Sequence, residues 1–487
     1  MLLLVFSCFV ACGDKDKEEE STTVATTVVR TGDGGFTDTV TRENAQSSLP
    51  EGLNFGGITI RYLARNREDT SFEISPEMVA DEGLSDAVYN RNKKVEQTLG
   101  ITLEPVLKAG NFAQKAEYMS EIRNNANGPD YYDIISGPNY ALVPLSLEGY
   151  FTNIHSLDYI DTDAAWWNGS FVDECTYQDR LYTIQGELAL SMIDSAFVMY
   201  FNKTMFESEY PDKNLYDMVN EGDWTFEEFK KLVVDIHTDS GTKSGEKDSG
   251  DIFGYVSPSF SCGRDGYPTA FGATVAEKDA NGNISFTFDK QRNYDIWGDF
   301  YDMLQTSNGV YVNGADDAAR TGAQEMFQSS KAMFITELLH YSLSLRATDV
   351  DYGVVPLPKY DDAQENYRTS SESVHSQFAI MNAGTQRTEA SAVLEALCFE
   401  TYKSVTMEYF QTTLKFKNMK DPESTQMLDL IVDTITLDFG AQFASSLQWP
   451  YPVIGTEENL ASYFGSKQSQ LKPFLDSMLN TLATLDS

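Results

Sequence analysis

The sequence predicts an α/β protein built as two lobes, and three observations carry that prediction. The chain has 487 residues, and single cores stop growing near about 250–300 residues, so a chain this long divides. Short apolar runs with strand spacing recur between stretches of helical spacing, and such alternation produces α/β lobes with largely parallel sheets. Breaks such as Gly100 and Asn127-Gly128-Pro129 separate the runs.

The N-terminal run, residues 1–12 (MLLLVFSCFVAC), falls well short of the roughly 20 residues a helix needs to cross a bilayer. Residues 1–11 read as a signal peptide, and Ala11 before Cys12 resembles a bacterial lipobox. That resemblance implies that Cys12 is the first mature residue and carries diacylglycerol, which holds the protein on the outer face of the cytoplasmic membrane. Residues 12–54 then form a lipid-anchored tether, since their Ser/Thr/Gly-rich composition cannot build a core. With Cys8 cleaved and Cys12 lipidated, Cys175, Cys262 and Cys398 remain, an odd and widely spaced set that predicts neither a disulfide framework nor a zinc site.

Charge excludes another class. The 36 Lys+Arg against 74 Asp+Glu leave a net charge of −38, and no basic cluster offsets it, so nucleic acid is not an expected partner.

The folded part begins after Gly56-Gly57 with ITIRYLA (58–64), a strand by alternation. Leu84, Ala87, Val88, Val95 and Leu99 make one helical stripe that Gly100 ends, and ITLEPV (101–106) follows as a strand. Phe112, Ala116, Met119, Ile122 and Ala126 predict a second helix with Phe112 on its apolar stripe, followed by the strand YYDIIS (131–136). Thr225 and Glu228 form a capping box, and Trp224 with Phe229 fits a hydrophobic staple, which makes Trp224 structural. Asn281-Gly282-Asn283 before FTFDK predicts a hairpin, and a calcium loop there fails because Lys290 stands where a bidentate Glu is needed. AMFIT (332–336), YGVVPLP (352–358) and QFAIMN (377–382) are further strands, and Leu471, Phe474, Leu475, Met478, Leu479 and Leu482 share one face of a final helix. Trp297 lies on the helical stripe Tyr294, Trp297, Tyr301, Leu304 and is expected in the core.

In order, YNRNKKVEQTLGITLEPV (89–106), DYYDIISGPNYALVPLSLEGYFTNI (130–154), DRLYTIQGELAL (179–190), MYFNKTMFE (199–207), GDWTFEEFKKL (222–232), SSKAMFIT (329–336) and DYGVVPLPKYDDAQENYRTS (351–370) resemble a family 1 extracellular solute-binding protein of an ABC importer. The group includes maltose- and other oligosaccharide-binding lipoproteins. The resemblance implies a type II periplasmic-binding-protein-like fold, with two α/β lobes joined by a hinge and a ligand cleft that closes between them. By analogy, residues 55–185 plus 357–412 form the N-terminal lobe and residues 190–355 plus 415–487 the C-terminal lobe. It also implies a monomer that captures a small solute, most of all an oligosaccharide, and delivers it to ABC permease subunits. A peptide, polyamine or other non-sugar solute is the alternative ligand, and a sensory or adhesive lipoprotein an alternative use of the same cleft.

Independently of any family, ligands in open α/β sheets sit beyond the carboxyl ends of strands. That rule selects Arg65, Asn66 and Arg67 after the first strand, and Asn139 and Tyr140 after YYDIIS. Trp166-Trp167 cannot both lie on one face of a regular element, so at least one is expected to face the cleft. A sugar site needs broad aromatic faces and a polar rim, which adds Glu187 and Asp194 on the crossover, Glu337 and Tyr341 behind AMFIT, Arg264 in a glycine-rich loop, and Trp449 and Tyr451 before the last helix.

No HExxH, GxSxG or glycine-rich phosphate loop is present, and the four histidines lie far apart in sequence. No enzyme activity, metal or cofactor is expected. A secreted carbohydrate-active enzyme is the residual alternative, because spacing alone cannot exclude a carboxylate pair.

Overall fold

The computed structural model describes residues 40–485, apart from 127, 129–130, 244, 260, 411–413, 415–418 and 448–458. The signal peptide, Cys12, most of the tether, Trp449 and Tyr451 lie outside the described residues.

Among the described residues the strands are, in chain order, β1 (Ile58–Arg65), β2 (Ile101–Lys108), β3 (Ile134–Gly137), β4 (Phe197–Asn202), β5 (His237–Thr238), β6 (Ile252–Ser257), β7 (Ala276–Lys278), β8 (Ile284–Phe286), β9 (Val310–Val312), β10 (Ala332–Leu338), β11 (Tyr352–Pro356) and β12 (Gln377–Ile380). One sheet has the order β12-β3-β1-β2, with β1 parallel to β2 and β3 and with β12 antiparallel to β3. A second has the order β11-β4-β10-β6, with β5 and β9 both on the far edge of β6. There β10, β6 and β9 run parallel, and β4 runs antiparallel to both β10 and β11. These are the two α/β lobes with mixed sheets of a type II periplasmic-binding-protein architecture.

Local sequence explains the first layer. Asp81 accepts a hydrogen bond from the Leu84 amide (3.1 Å) to open the helix Glu82–Leu99, which buries Val95 and Leu99 in the first sheet's core and Leu84 and Val88 in a cluster shared with the second sheet. Gly100 ends it at φ 60°, a left-handed position where a Cβ would also meet the Asn54 side chain at 2.5 Å. Half of the capping box forms: Thr225 accepts from the Glu228 amide at 3.4 Å, but the Thr225 amide donates to the Asp223 carbonyl (2.9 Å) and the Glu228 carboxylate accepts from Lys231 (2.7 Å) instead. Trp224 is fully buried 5.6 Å from the Phe229 ring, and its indole N–H donates to the Pro356 carbonyl at 2.8 Å. The hairpin β7–β8 turns through Gly282 at φ 80°, while the Asp279 carboxylate accepts from the Asn281 and Asn283 amides. Trp297 is buried in the second lobe's core, as its stripe requires.

Two features depart from the sequence reading. β4 (FVMYFN) and β6 (IFGYVS) are absent from it, because nearly every residue of each is buried and no alternation remains to detect. Phe112 is not on a buried stripe. Asn111 accepts from the Gln114 amide (3.0 Å) and opens a 3₁₀ turn, Phe112–Gln114, so the helix proper is Lys115–Asn125, with Tyr118 and Ile122 as its buried residues. The turn swings Phe112 outward, and the residue is 60% exposed.

Three segments cross between the sheets side by side. The Phe197 amide donates to the Ser370 carbonyl (2.9 Å), Glu372 to Ser195 (2.8 Å), Thr369 to Thr434 (2.9 Å) and Thr436 back to Thr369 (2.8 Å). These bonds make a narrow hinge of paired backbone. The last helix, Leu460–Thr484, reaches both cores: Leu460, Phe464 and Leu471 pack with the second lobe, Leu475, Met478 and Leu482 with the first.

Candidate ligand cleft

The parallel strands β1, β2 and β10 aim their carboxyl ends at one region between the lobes. Residues Arg67–Thr70 follow β1 there, Asn111 follows β2, and Leu338 and His340 come at the end of β10. Strands β4 and β12 run antiparallel to their neighbours, so the residues before them arrive at the same end: Ser191, Asp194 and Ser195 before β4, Glu372 and Val374 before β12. With Arg320 from the helix Asp317–Gln328, these residues enclose a cleft of about 520 Å³.

Its walls are charged and mostly paired. Arg67 grips Asp69 through Nε (2.8 Å) and Nη2 (2.5 Å). Burial alone would raise the Asp69 carboxyl, but the hydrogen bonds and charge of Arg67 hold it below its ordinary value. Opposite, Arg320 makes a bidentate contact with Glu337, at 2.8 and 2.6 Å. Asp194 accepts from the Tyr409 hydroxyl and lies 3.4 Å from His340 Nδ1. That carboxylate raises the His340 imidazole above its ordinary pKa, against the effect of burial. Glu372 accepts from the Ser261 hydroxyl, and burial pushes its carboxyl up.

The residues that sequence patterns singled out fall into several groups. Asp194 and Arg67 line the cleft. Arg65 lies buried just beneath it and donates to the carbonyl of Val374, a lining residue. Tyr140 is buried beside Arg65, with its ring edge-on to Phe112 at 5.2 Å. Asn66 is exposed after β1, its amide donating to the Lys108 carbonyl at 2.7 Å. Asn139 is turned to the backbone, its amide 3.4 Å from the carbonyls of Ala441 and Gln442. Arg264 sits in the loop after β6, with Nε 3.2 Å from Asp265 and Nη1 donating to the Ser259 carbonyl at 2.7 Å.

The remaining candidates make contacts away from this cavity. Trp166 and Trp167 are both buried, and both indole N–H groups donate to one carboxylate, that of Glu395, at 2.9 and 2.8 Å. Glu187 pairs with Arg42 (2.9 Å) and accepts from Thr406 (2.5 Å). Glu337 is 1% exposed and is saturated by Arg320, Gln324 and the Leu338 amide, so it holds Arg320 in the wall. Tyr341 is buried, with its hydroxyl donating to the Gln324 carbonyl at 3.1 Å.

Sequence patterns missed Glu68, Asp69, Asn111, Ser191, Ser195, Arg320, His340 and Glu372 as cleft residues. The signal that finds two of the missed segments is strand direction: on an antiparallel strand the cleft residues precede the strand. Among the described residues, no group of three or more His, Cys, Asp and Glu is arranged to hold a metal ion, and no helix is long and apolar enough to cross a membrane. Cys175, Cys262 and Cys398 are buried free thiols.

No family model matches the chain, and no curated protein does. Solved structures do. A cyclo/maltodextrin-binding protein complexed with maltotetraose is similar with a TM-score of 0.55 at 12% identity, over 88% of this chain and 98% of that one. An ABC substrate-binding protein from Listeria monocytogenes in complex with cycloalternan has a TM-score of 0.53 at 11% identity, over 86% of this chain and 99% of that one. A family 1 extracellular solute-binding protein from Bifidobacterium longum subsp. infantis has a TM-score of 0.51 at 14% identity, over 88% of this chain and 100% of that one. At these identities the likeness is one of fold, that of solute-binding proteins of the ABC-transporter type, and each of the three is named as a binding protein rather than an enzyme.

Proposed function

We propose that the chain is a lipid-anchored extracytoplasmic receptor that captures an oligosaccharide between its lobes and delivers it to the permease subunits of an ABC transporter. In this reading residues 55–185 plus 357–412 act as one lobe and 190–355 plus 415–487 as the other, with Cys12 as the anchor. The observation that carries it is the cleft itself, where side chains from both lobes and two crossing segments converge on about 520 Å³. A solute held there touches both lobes at once, so it binds the closed form more tightly than the open form, and that difference in affinity drives closure.

The chemistry of the walls fits hydroxyl groups. Asn111 and Ser191 can both donate and accept, and Ser195, whose own proton goes to the Ser191 carbonyl, accepts alongside Asp194 and Glu372. We assign the aromatic surface that a sugar ring needs to Phe112, which is exposed, follows the lining residue Asn111 in the chain, is backed by Tyr140 and lies 4.4 Å below the Lys115 ammonium. Phe112→Ala is therefore expected to weaken oligosaccharide binding by about 1 kcal/mol, read by calorimetry. Its melting temperature should stay at the wild-type value because the ring is mostly exposed.

A second reading has its own support. Arg67 and Arg320 are already committed to Asp69 and Glu337, which leaves Glu68, Asp194 and Glu372 facing the cavity with the His340 imidazole beside Asp194. That balance favours an amine-bearing solute. A thermal-shift screen of neutral oligosaccharides, peptides and polyamines, followed by calorimetry and product analysis, separates the two. Saturable shifts with unaltered oligosaccharides support the first, a response confined to amines supports the second, and turnover of a bound sugar overturns both.

A further inference from the structure

A second cavity opens off the cleft. It holds about 170 Å³ and shares Glu68, Asp194 and His340 with the main chamber. Beyond those three residues its character changes. Phe72, Val79 and Leu84 line it from the segment after β1, Leu343 from the segment after β10, and Tyr409 from the chain beyond the helix Arg387–Glu400, with the charged Arg346 also in the wall. Phe72, Leu84 and Tyr409 are each more than nine-tenths buried, and the Phe72 and Tyr409 rings lie 5.7 Å apart. Asp81, also in the wall, is occupied in capping the helix Glu82–Leu99.

The junction between the chambers is built from the side pocket's own wall. Tyr409 donates to Asp194, and Asp194 in turn lies 3.4 Å from His340, so these three side chains form a polar chain where the two chambers meet. Interiors pack with few voids larger than a water molecule, and an apolar cavity of about 150 Å³ is enough for a benzene molecule. The side pocket therefore has room for a phenyl ring or a short alkyl chain next to the ligand cleft.

We infer that the natural solute is amphipathic: a hydroxylated head occupies the cleft, and an apolar group of phenyl or hexyl size passes the Glu68, Asp194 and His340 neck into the side pocket. This rests on the receptor reading above and narrows its ligand to a glycoside with an apolar aglycone. Because both lobes supply walls, the apolar group adds to the preference for the closed form.

Calorimetry on the full chain tests this with methyl and hexyl β-maltoside and with 1-hexanol. Transfer of alkyl surface from water is worth about fourfold in affinity per fully buried methylene, so hexyl maltoside should bind at least tenfold more tightly than methyl maltoside. Val79→Phe, which fills the cavity, and Leu343→Ala, which removes a wall, should each bring that ratio toward one. A ratio near one in the wild type, or an undiminished ratio in both variants, overturns the inference. Should neither maltoside bind, 1-hexanol decides: saturable binding lost in Val79→Phe sustains the pocket while the oligosaccharide reading falls, and absence of saturable binding removes the pocket.

Discussion

Replacing Glu395 by alanine is expected to lower stability by about 3 kcal/mol or more, since each buried donor left without an acceptor costs about 1–3 kcal/mol. Glu395 is fully buried in the helix Arg387–Glu400 and accepts from the Trp166 and Trp167 indoles, from Ser48 (2.5 Å) and from the Asp161 amide (3.3 Å). One carboxylate thus ties the N-terminal segment and the 161–167 loop to the first lobe's core. Urea denaturation followed by tryptophan fluorescence measures the loss. Glu395→Gln, which keeps one acceptor oxygen, should lose less, and adding Trp167→Phe to Glu395→Ala should cost much less than the sum of the two changes. An Ala variant as stable as wild type would contradict this account of the two tryptophans.

Stability is also expected to fall as pH rises from about 6 to about 8. Burial pushes the Glu73 and Glu395 carboxyls up to about 7. A group whose folded pKa lies above its unfolded value stabilises fully below the unfolded pKa and loses that contribution as pH rises through the folded one. His340, raised by the Asp194 carboxylate 3.4 Å away, acts in the same direction above its ordinary pKa. His375, pushed down to about 4 by burial, opposes them, but only as pH falls below its ordinary value. A tenfold difference in proton affinity between the folded and unfolded chain corresponds to about 1.4 kcal/mol, so even a fraction of the rise at Glu73 and Glu395 lowers the melting temperature measurably. Thermal denaturation across that range should show the decline, with a shallower slope in Glu395→Gln. A melting temperature that rises with pH would contradict the assignment.

Particular residues show how far the sequence could be read. Strands β1 and β2 and the helix Glu82–Leu99 were legible because each keeps a partly exposed face and Asp81 and Gly100 punctuate the helix, while the fully buried β3 and β12 were legible as short apolar runs. β4 and β6 were not, because a short buried run without alternation cannot be told from a helix segment by periodicity alone. Trp166-Trp167 invited a ligand role from its local pattern, whereas the partner that explains it, Glu395, lies 229 and 228 residues away and carries no local mark. Phe112 shows the converse error. Spacing placed it on an apolar stripe, and a single cap at Asn111 turned it outward. The cleft was legible where parallel strands end, at Arg67, and on the crossover, at Asp194; Glu372 required knowing that β12 pairs antiparallel, whereas His340 follows β10 between Glu337 and Tyr341, the two residues the strand-end rule selected there.

The most direct test of the central claim is amide hydrogen exchange on the full chain, with and without the tightest-binding solute from the screen. Capture between the lobes predicts increased protection at residues 66–70, 191–195, 338–340 and 372–376 together, drawn from both lobes and from the crossing segments. Protection confined to one lobe, or appearing only outside these segments, would contradict it.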